Sequence, residues 1–399
     1  MPIIPLPTVQ SLTSAMIDDC DKKSIDSFIR ATFNDLNMAD QANLLDQRLA
    51  QVEDRARRIR AAAQEPVERA RDNEQWWAHM VNYFGSEAVM FERCCIDRRV
   101  FDEVYALVRD TPGQGRGRRG VIQTNREKLL FLLIFLSRGV GVLEILVAPF
   151  IKNREHVTQR AKTFARLFRP NIVEGTVRYF DETHDSLPGA SLVVDCTVCE
   201  TTKPKGSFEK AKYYFSGKHW FYAIKKEVCV NIRSGTAALV SRGYAGSKHD
   251  IAILRTHADL INNTLQGRSI LGDLGYRGAE HDIPSFIVCG ESDPLRSRRV
   301  IVECFFGRLK SLWTVFARAW TLEKDDFDVF FDVACGLTNV HILLYPLQQA
   351  DLLFNKGVLN LIKARVLREK DAQRQSNEAY RRRRLERLEY ETTEIDRFL

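Results

Sequence analysis

The sequence predicts an α/β protein: a mixed sheet flanked by helices, preceded by an all-α N-terminal region and followed by a C-terminal helical extension. Three observations predict it. Two short apolar runs, Ser191-Leu192-Val193-Val194-Asp195 and Ser269-Ile270-Leu271-Gly272-Asp273, read as strands covered on both faces. A hairpin pattern lies between them, and helical periodicity dominates the chain on either side of this strand-rich stretch. Apolar residues make up 45% of 399 positions, enough for a sizeable core spread over two or three domains.

Residues 1–110 read as a helical N-terminal region. Within it, 41–72 is charged and helix-favouring, with Leu45, Val52 and Ile59 spaced by seven and Leu49, Ala56 and Ala63 four after each. That spacing suits either a short coiled coil or a long helix packed on its own domain. Residues 111–120 break regular structure with Thr111-Pro112-Gly113-Gln114-Gly115-Arg116-Gly117-Arg118-Arg119-Gly120. The segment is a flexible basic linker, or its Arg116, Arg118 and Arg119 reach into a minor groove.

Residues 121–180 read as a helix-turn-helix-like DNA-binding region. Thr124-Asn125-Arg126-Glu127 is a capping box opening an apolar helix to about Leu136. A segment from Val142 to Phe150, a turn at Lys152-Asn153 and a helix from Arg154 to Phe168 come next. In the last helix Val157, Ala161, Phe164 and Phe168 form the buried stripe. Arg154, Gln159, Lys162 and Arg166, with Glu155 and Thr158, are expected outward, where they suit phosphate and base-edge contacts. An ordinary helical bundle with a solvated basic face has the same pattern.

Residues 190–350 form the expected sheet domain. After Asp195, Lys203, Lys205, Lys210, Lys212 and Lys218 interleave with Tyr213, Tyr214 and Phe215, as a DNA-stacking segment or a solvated loop. A strand from His219 through Val230, a turn at Arg233-Ser234-Gly235 and a strand Ala237 to Val240 read as a hairpin. Ser247-Lys248-His249-Asp250 has capping-box spacing before a helix near 249–261, so helix-start chemistry accounts for Asp250. After Asp273, Leu274-Gly275-Tyr276-Arg277-Gly278 marks a sharp turn. Ile301, Phe305, Leu309, Leu312 and Phe316 then repeat at helical spacing around Glu303, and Arg299, Glu303, Gly307 and Lys310 share one stripe. An apolar helix from Phe327 to Leu347, interrupted by Pro346, closes the domain. Residues 351–399 are a charged helix containing Arg381-Arg382-Arg383-Arg384, a DNA-binding or nuclear-address run diluted by Glu386, Glu389, Glu391 and Glu394.

Asp195, Asp273 and Glu303 are the candidate catalytic and metal-holding residues. Carboxylate oxygens are the hard ligands that Mg2+ or Mn2+ prefers. Three acids suffice for two divalent ions, and two such ions promote in-line phosphodiester displacement with no nucleophilic side chain. His249, Asp250, Arg299 and Lys310 are candidate supporting residues. Cys196 and Cys199 make one C-x-x-C, but no second pair lies at zinc-site spacing after it.

On these residues the chain resembles a DDE transposase of the PIF/Harbinger type. The match rests on Val194-Asp195-Cys196-Thr197, Gly246-Ser247-Lys248-His249-Asp250, Gly272-Asp273-Leu274-Gly275-Tyr276 and the helix from Arg299 to Trp313, in that order. It covers about residues 190–320, with likeness upstream to about 120. The stretch from Asp273 to Glu303 lacks the longer Asn- and Lys-rich lead expected before the glutamate helix. The resemblance implies an RNase H-like catalytic domain in which Asp195, Asp273 and Glu303 are the catalytic acids. It further implies cut-and-paste action on double-stranded DNA at element terminal repeats, and a Myb-like helper protein from the same element. Two ends held together imply at least a homodimer. The expected location is the nucleus, or the cytoplasm in a prokaryotic host.

A descendant that binds DNA or a protein partner without cutting is the alternative from another class, and an RNase H-like nuclease of RNA or repair intermediates is a third. Lys plus Arg exceed Asp plus Glu by 59 to 52, a formal +7, which agrees with a phosphate-binding face. No stretch of eighteen or more residues is wholly apolar, and Met1-Pro2-Ile3-Ile4-Pro5 lacks the plan of a signal peptide, so neither secretion nor membrane insertion is expected. Nine cysteines, odd in number and scattered, predict reduced thiols.

Overall fold

The central strand of the sheet, β1 (Leu192–Glu200), runs antiparallel to β3 (Phe221–Asn231) along its whole length, from Leu192 opposite Asn231 to Glu200 opposite Ala223. The computed structural model describes residues 74–112, 124–151, 153–177, 192–265, 269–290, 295–348 and 352–398. The heptad segment 41–72 lies outside them, as do Arg116, Arg118 and Arg119. The remaining strands are β2 (Phe215–Ser216), β4 (Ala237–Val240), β5 (Tyr244–Ala245), β6 (Ile270–Gly272) and β7 (Phe286–Val288).

The order is β2-β3-β1-β6-β7, with β4 and β5 also pairing β3. β6 is parallel to β1 and β7 parallel to β6, whereas the β3 side is antiparallel. A mixed sheet in this order, flanked by helices, is compatible with the RNase H-like domain expected. Sequence alternation divides its two faces. Val193, Val228, Val230 and Leu271 enter a core continuous with the helical region, while Leu192, Val194, Cys229 and Ile270 join a smaller one with Leu254, Ile261, Tyr276 and Phe286.

Two expectations about strands need correction. β1 does not end at Asp195 but continues to Glu200, because β3 keeps pairing it. The second strand begins at Phe221, so His219 and Trp220 belong to a turn. β7 has no counterpart among the strands the sequence predicts; it occupies part of the stretch between Asp273 and the glutamate helix.

Among the described residues, six α-helices precede the sheet: α1 (Gln75–Phe84), α2 (Glu87–Cys94), α3 (Arg98–Val108), α4 (Asn125–Arg138), α5 (Val140–Val147) and α6 (Arg154–Arg169). The expected capping box at Thr124 and Glu127 is present. Glu127 does more than cap its own helix. Its Oε1 accepts the backbone N–H groups of Trp76 at 2.8 Å and Trp77 at 3.0 Å, filling the donor-rich start of α1 with negative charge. Arg126 reaches Glu74 at 2.9 Å and lies 3.5 Å from the centre of the Trp77 ring. These buried groups bind the segments on either side of the expected linker to each other.

Helix α7 (Phe208–Tyr214) forms within the lysine-aromatic segment, for which a DNA-stacking segment and a solvated loop are the two readings, with Ser207 accepting the Lys210 N–H as its cap. Two helical pieces, α8 (Asp250–Leu254) and α9 (Ala258–Leu265), cover the smaller core. The glutamate helix is α10 (Arg296–Leu312), which lays Ile301, Val302, Phe305 and Leu309 into the larger core. Helix α11 (Lys324–Leu344) is long and apolar enough to cross a membrane, yet 78% of its most apolar window is buried inside this protein, as a core helix requires. It stops before Pro346 rather than running to Leu347. Helix α12 (Leu352–Phe398) packs Val358, Leu359, Ile362 and Val366 inward at its start.

Acids on α11 decide how α6 sits. Asp326 pairs with both Lys162 and Arg166, the latter at 3.1 Å, and Asp332 accepts Arg169 at 2.7 Å. Lys162 and Arg166, expected outward for DNA, are therefore held by a neighbouring helix. Asp332 and Asp328 also receive the fully buried Lys226 ammonium from β3, at 3.0 and 2.9 Å. One set of charges thus joins α6, α11 and the sheet.

Candidate active site

β1 and β6 are parallel only at Leu192–Ile270 and Val193–Leu271. Beyond that point β6 ends at Gly272, and β1 continues without its parallel neighbour. Asp195 and Asp273 each stand two residues further on, so strand alternation gives both the face shared by Val193 and Leu271. That is the face on which α10 packs.

Local chemistry fixes each carboxylate. Asp195 Oδ1 accepts the Cys196 N–H at 2.7 Å. Asp273 caps a turn of 3-10 helix, its Oδ1 accepting the Gly275 N–H at 2.9 Å. Gly275 makes room for two acids at once: a Cβ there would lie 2.9 Å from Asp273 Oδ1 and 3.6 Å from Asp250 Oδ2. Asp250 opens α8 but does not make the expected cap. No side chain caps that helix, Ser247 Oγ donates to the Tyr213 carbonyl, and Asp250 Oδ1 instead receives Lys225 Nζ at 2.8 Å. Gly246 in the same loop lies against α7, where a Cβ would stand 2.6 Å from the Tyr214 carbonyl oxygen.

The aspartates act on one another electrostatically. Burial pushes the Asp195 carboxyl up to about 6, and the charges of Asp273 and Asp250 push the same way. The Cys196 N–H and Arg299 oppose them. Arg299 comes from α10 with its guanidinium 3.8 Å from Asp273 Oδ2, and its buried Nε has no hydrogen-bond partner.

Glu303 is not gathered with the aspartates. It is exposed on α10, one turn after Arg299 and two before Lys310, whose Nζ donates to the Val198 carbonyl at 2.9 Å. Its neighbours on the stripe therefore touch the aspartate face while Glu303 stands at the edge. Arg299 places positive charge beside Asp273. Among the described residues no group of three His, Cys, Asp or Glu side chains stands ready to hold a metal ion. The donor chemistry of Asp195 and Asp273 nonetheless suits a hard cation: oxygen ligands only, mutually repelling, with the ionisation of one carboxyl opposed by burial.

Beneath the aspartates, on the opposite face, lies a network that sequence reasoning missed. Glu227, opposite Cys196 in the β1–β3 register, accepts the Tyr276 hydroxyl at 3.0 Å and contacts His257 Nε2 at 2.6 Å. Burial raises the Glu227 carboxyl and holds the Tyr276 hydroxyl and the Cys196 thiol well above their usual ranges. Cys196 thus packs against Tyr276, while Cys199 is buried in the other core, so the C-x-x-C points to two faces. The eight cysteines among the described residues form no disulfide with one another. His249 is exposed beside Asp250, and Arg154 and Gln159 are exposed on α6.

Residues 194–339 match the family model described as DDE superfamily endonuclease. No curated protein and no solved structure matches the chain. The family match begins one residue before Asp195, spans Asp273 and Glu303, and ends within α11, which supports a place for this domain in the DDE transposase superfamily.

Proposed function

We propose that this protein is a PIF/Harbinger-type transposase that cuts DNA at element ends and joins the released 3′ hydroxyl to target DNA. The observation that carries the reading is the side-by-side placement of Asp195 and Asp273 beyond the last β1–β6 pair, inside a segment matching a DDE endonuclease. Asp195, Asp273 and Glu303 are the residues that would hold Mg2+ or Mn2+. Such ions, when bound, would supply activation of the attacking oxygen and compensation of charge on the leaving one.

The chain's own residues do the rest. Asp195 lies within β1 and Asp273 directly follows β6, so backbone pairing limits how far their separation can change while DNA is exchanged. Lys225 holds Asp250 and the Lys248 carbonyl, at 2.8 and 2.9 Å, keeping the 246–250 loop against the sheet. Lys310 and Arg299 give the rim positive charge for phosphate. On α6, Arg154, Gln159 and Arg166 are exposed for DNA contacts, Arg154 also lying 3.8 Å from Glu144, whereas Lys162 serves α11 first. Function at two ends calls for a homodimer or larger assembly, in the nucleus of a eukaryotic host, with a Myb-like helper as the resemblance implies.

A second reading is favoured by one observation: Arg299 lies on Asp273 and Glu303 stands apart. A transposase-derived protein that binds DNA without cutting would keep that arrangement. Supercoiled DNA carrying the element's flanking ends, incubated with magnesium, manganese or chelator, separates the two. Metal-dependent nicking at those ends, lost in Asp273→Asn, supports the transposase; tight binding to the ends with no nicking in either metal supports the second reading.

A further inference from the structure

Strands β2 and β3 are joined by the tip Gly217-Lys218-His219-Trp220, closed by Phe215 opposite Tyr222 and Ser216 opposite Phe221. Trp220 there has φ +61, a left-handed backbone that a bulky side chain rarely adopts. It is held so by its N–H to the Ser216 carbonyl at 2.8 Å, with the His219 N–H on the same oxygen at 3.2 Å. Its indole is nevertheless 82% exposed. A strained conformation kept by a built turn in order to present an apolar ring to solvent is the pattern of a contact site rather than of packing. The other four tryptophans, Trp76, Trp77, Trp313 and Trp320, are buried.

The His219 ring stacks on Phe221 and lies within electrostatic reach of Lys225, Lys310 and Asp250, and the last of these acts in turn on Asp195. The surroundings select an anion: between residues 203 and 218 five lysines stand against a single glutamate, and all five are exposed. A flat exposed indole in a cationic field fits a nucleobase on the ring and its phosphates on the lysines. A cationic ligand would be repelled from the same ring.

We infer that Trp220 is a stacking platform for an unpaired base of the DNA strand held at the aspartates, with Lys218 contacting the adjoining phosphate. This rests on the DNA reading of the acid site and adds to it the state of the DNA: a strand splayed from its duplex beside the position of cleavage. The indole would hold that base out of the stack while the phosphodiester lies at Asp195 and Asp273.

The test uses the full chain with chelator present, so that no cleavage is needed. The probe is a short duplex with a single-stranded 3′ extension whose first unpaired nucleotide is 2-aminopurine, compared with the blunt duplex. We expect probe emission to be quenched on binding, and the iodide-accessible tryptophan emission, which Trp220 alone supplies, to be protected. Trp220→Ala should remove both signals and weaken binding of the extended probe by about tenfold, with blunt-duplex binding unchanged and with Trp220→Phe restoring most of the affinity. Unchanged quenching and affinity in Trp220→Ala would overturn the inference, as would an equal loss on blunt and extended probes. Metal-dependent nicking with a silent Trp220 variant sinks this inference alone; a responsive Trp220 without nicking sinks the cleavage reading alone.

Discussion

Asp195 and Asp273 stand two residues beyond Val193 and Leu271, the last residues that pair two neighbouring parallel strands. Their carboxylates therefore occupy one side of the sheet at the place where β6 stops and β1 continues. Such a place is defined by backbone pairing, so it moves little when surface loops change. The same pairing forces two like charges together in a partly desolvated setting.

Asp195→Asn should abolish nicking and stabilise the fold. Burial and the neighbouring aspartates raise the Asp195 carboxyl from 3.8 to about 6, so its ionised form opposes folding at pH 7 by at most about 3 kcal/mol. Below pH 4 both folded and unfolded chains carry the proton and the penalty vanishes. Thermal unfolding should show the variant more stable at pH 7, with the gap closing as pH falls from 7 to 4. A gap that is constant with pH would mean Asp195 is not the strained group.

Gly275→Ala tests the crowding directly. The added methyl would sit 2.9 Å from Asp273 Oδ1, so the carboxylate must move. Displacements of about 1 Å at a reacting centre can cost on the order of a hundredfold. Nicking should fall by about that much, while urea unfolding shifts far less. Parent-like nicking in this variant would show that the Asp273 position seen here is not the working one.

Lys226→Ala should be severely destabilising. Its ammonium is fully buried between Asp328 and Asp332, and removing one partner of a buried ion pair typically costs about 3–5 kcal/mol. Lys226→Met keeps the packing against Phe331 and should lose less. Urea unfolding of the two variants ranks them; equal losses would show that charge rather than packing joins β3 to α11.

Helix α6 separates two roles that its sequence joins. Lys162→Ala should lower thermal stability because it strips Asp326 of a partner. Arg154→Ala with Gln159→Ala should leave stability unchanged and weaken binding to element ends, more so at low salt. The pair of measurements, melting and DNA binding, fails this account if Arg154 and Gln159 substitutions leave affinity intact.

Periodicity and turn chemistry make much of this legible: the capping box at Thr124, the hairpin about Arg233 and the strand ending before Asp273 all depend on residues near one another in the chain. The features that escape depend on distant partners. Asp195 reads as a strand end because nothing local announces that β3 will pair β1 through Glu200. Lys162 and Arg166 lie outside the apolar stripe of their helix, yet Asp326 on another helix pairs with both. Trp220 sits in an apolar run that reads as strand, and only the turn on Ser216 reveals its left-handed backbone. Asp250 carries a capping pattern, but the Lys225 ammonium claims its carboxylate. Glu303 is marked by a helical stripe alone, which fixes a side of α10 and not a distance to the sheet.

The central claim is that Asp195, Asp273 and Glu303 act as one cleavage site, and the initial rate of manganese-dependent nicking of supercoiled DNA bearing the element's ends tests it most directly. The parent should nick, and Asp195→Asn, Asp273→Asn and Glu303→Gln should each lose at least about a hundredfold, as residues acting as a unit do. Parent-like nicking by Asp195→Asn or Asp273→Asn would contradict the site, and parent-like nicking by Glu303→Gln would remove the third acid from it.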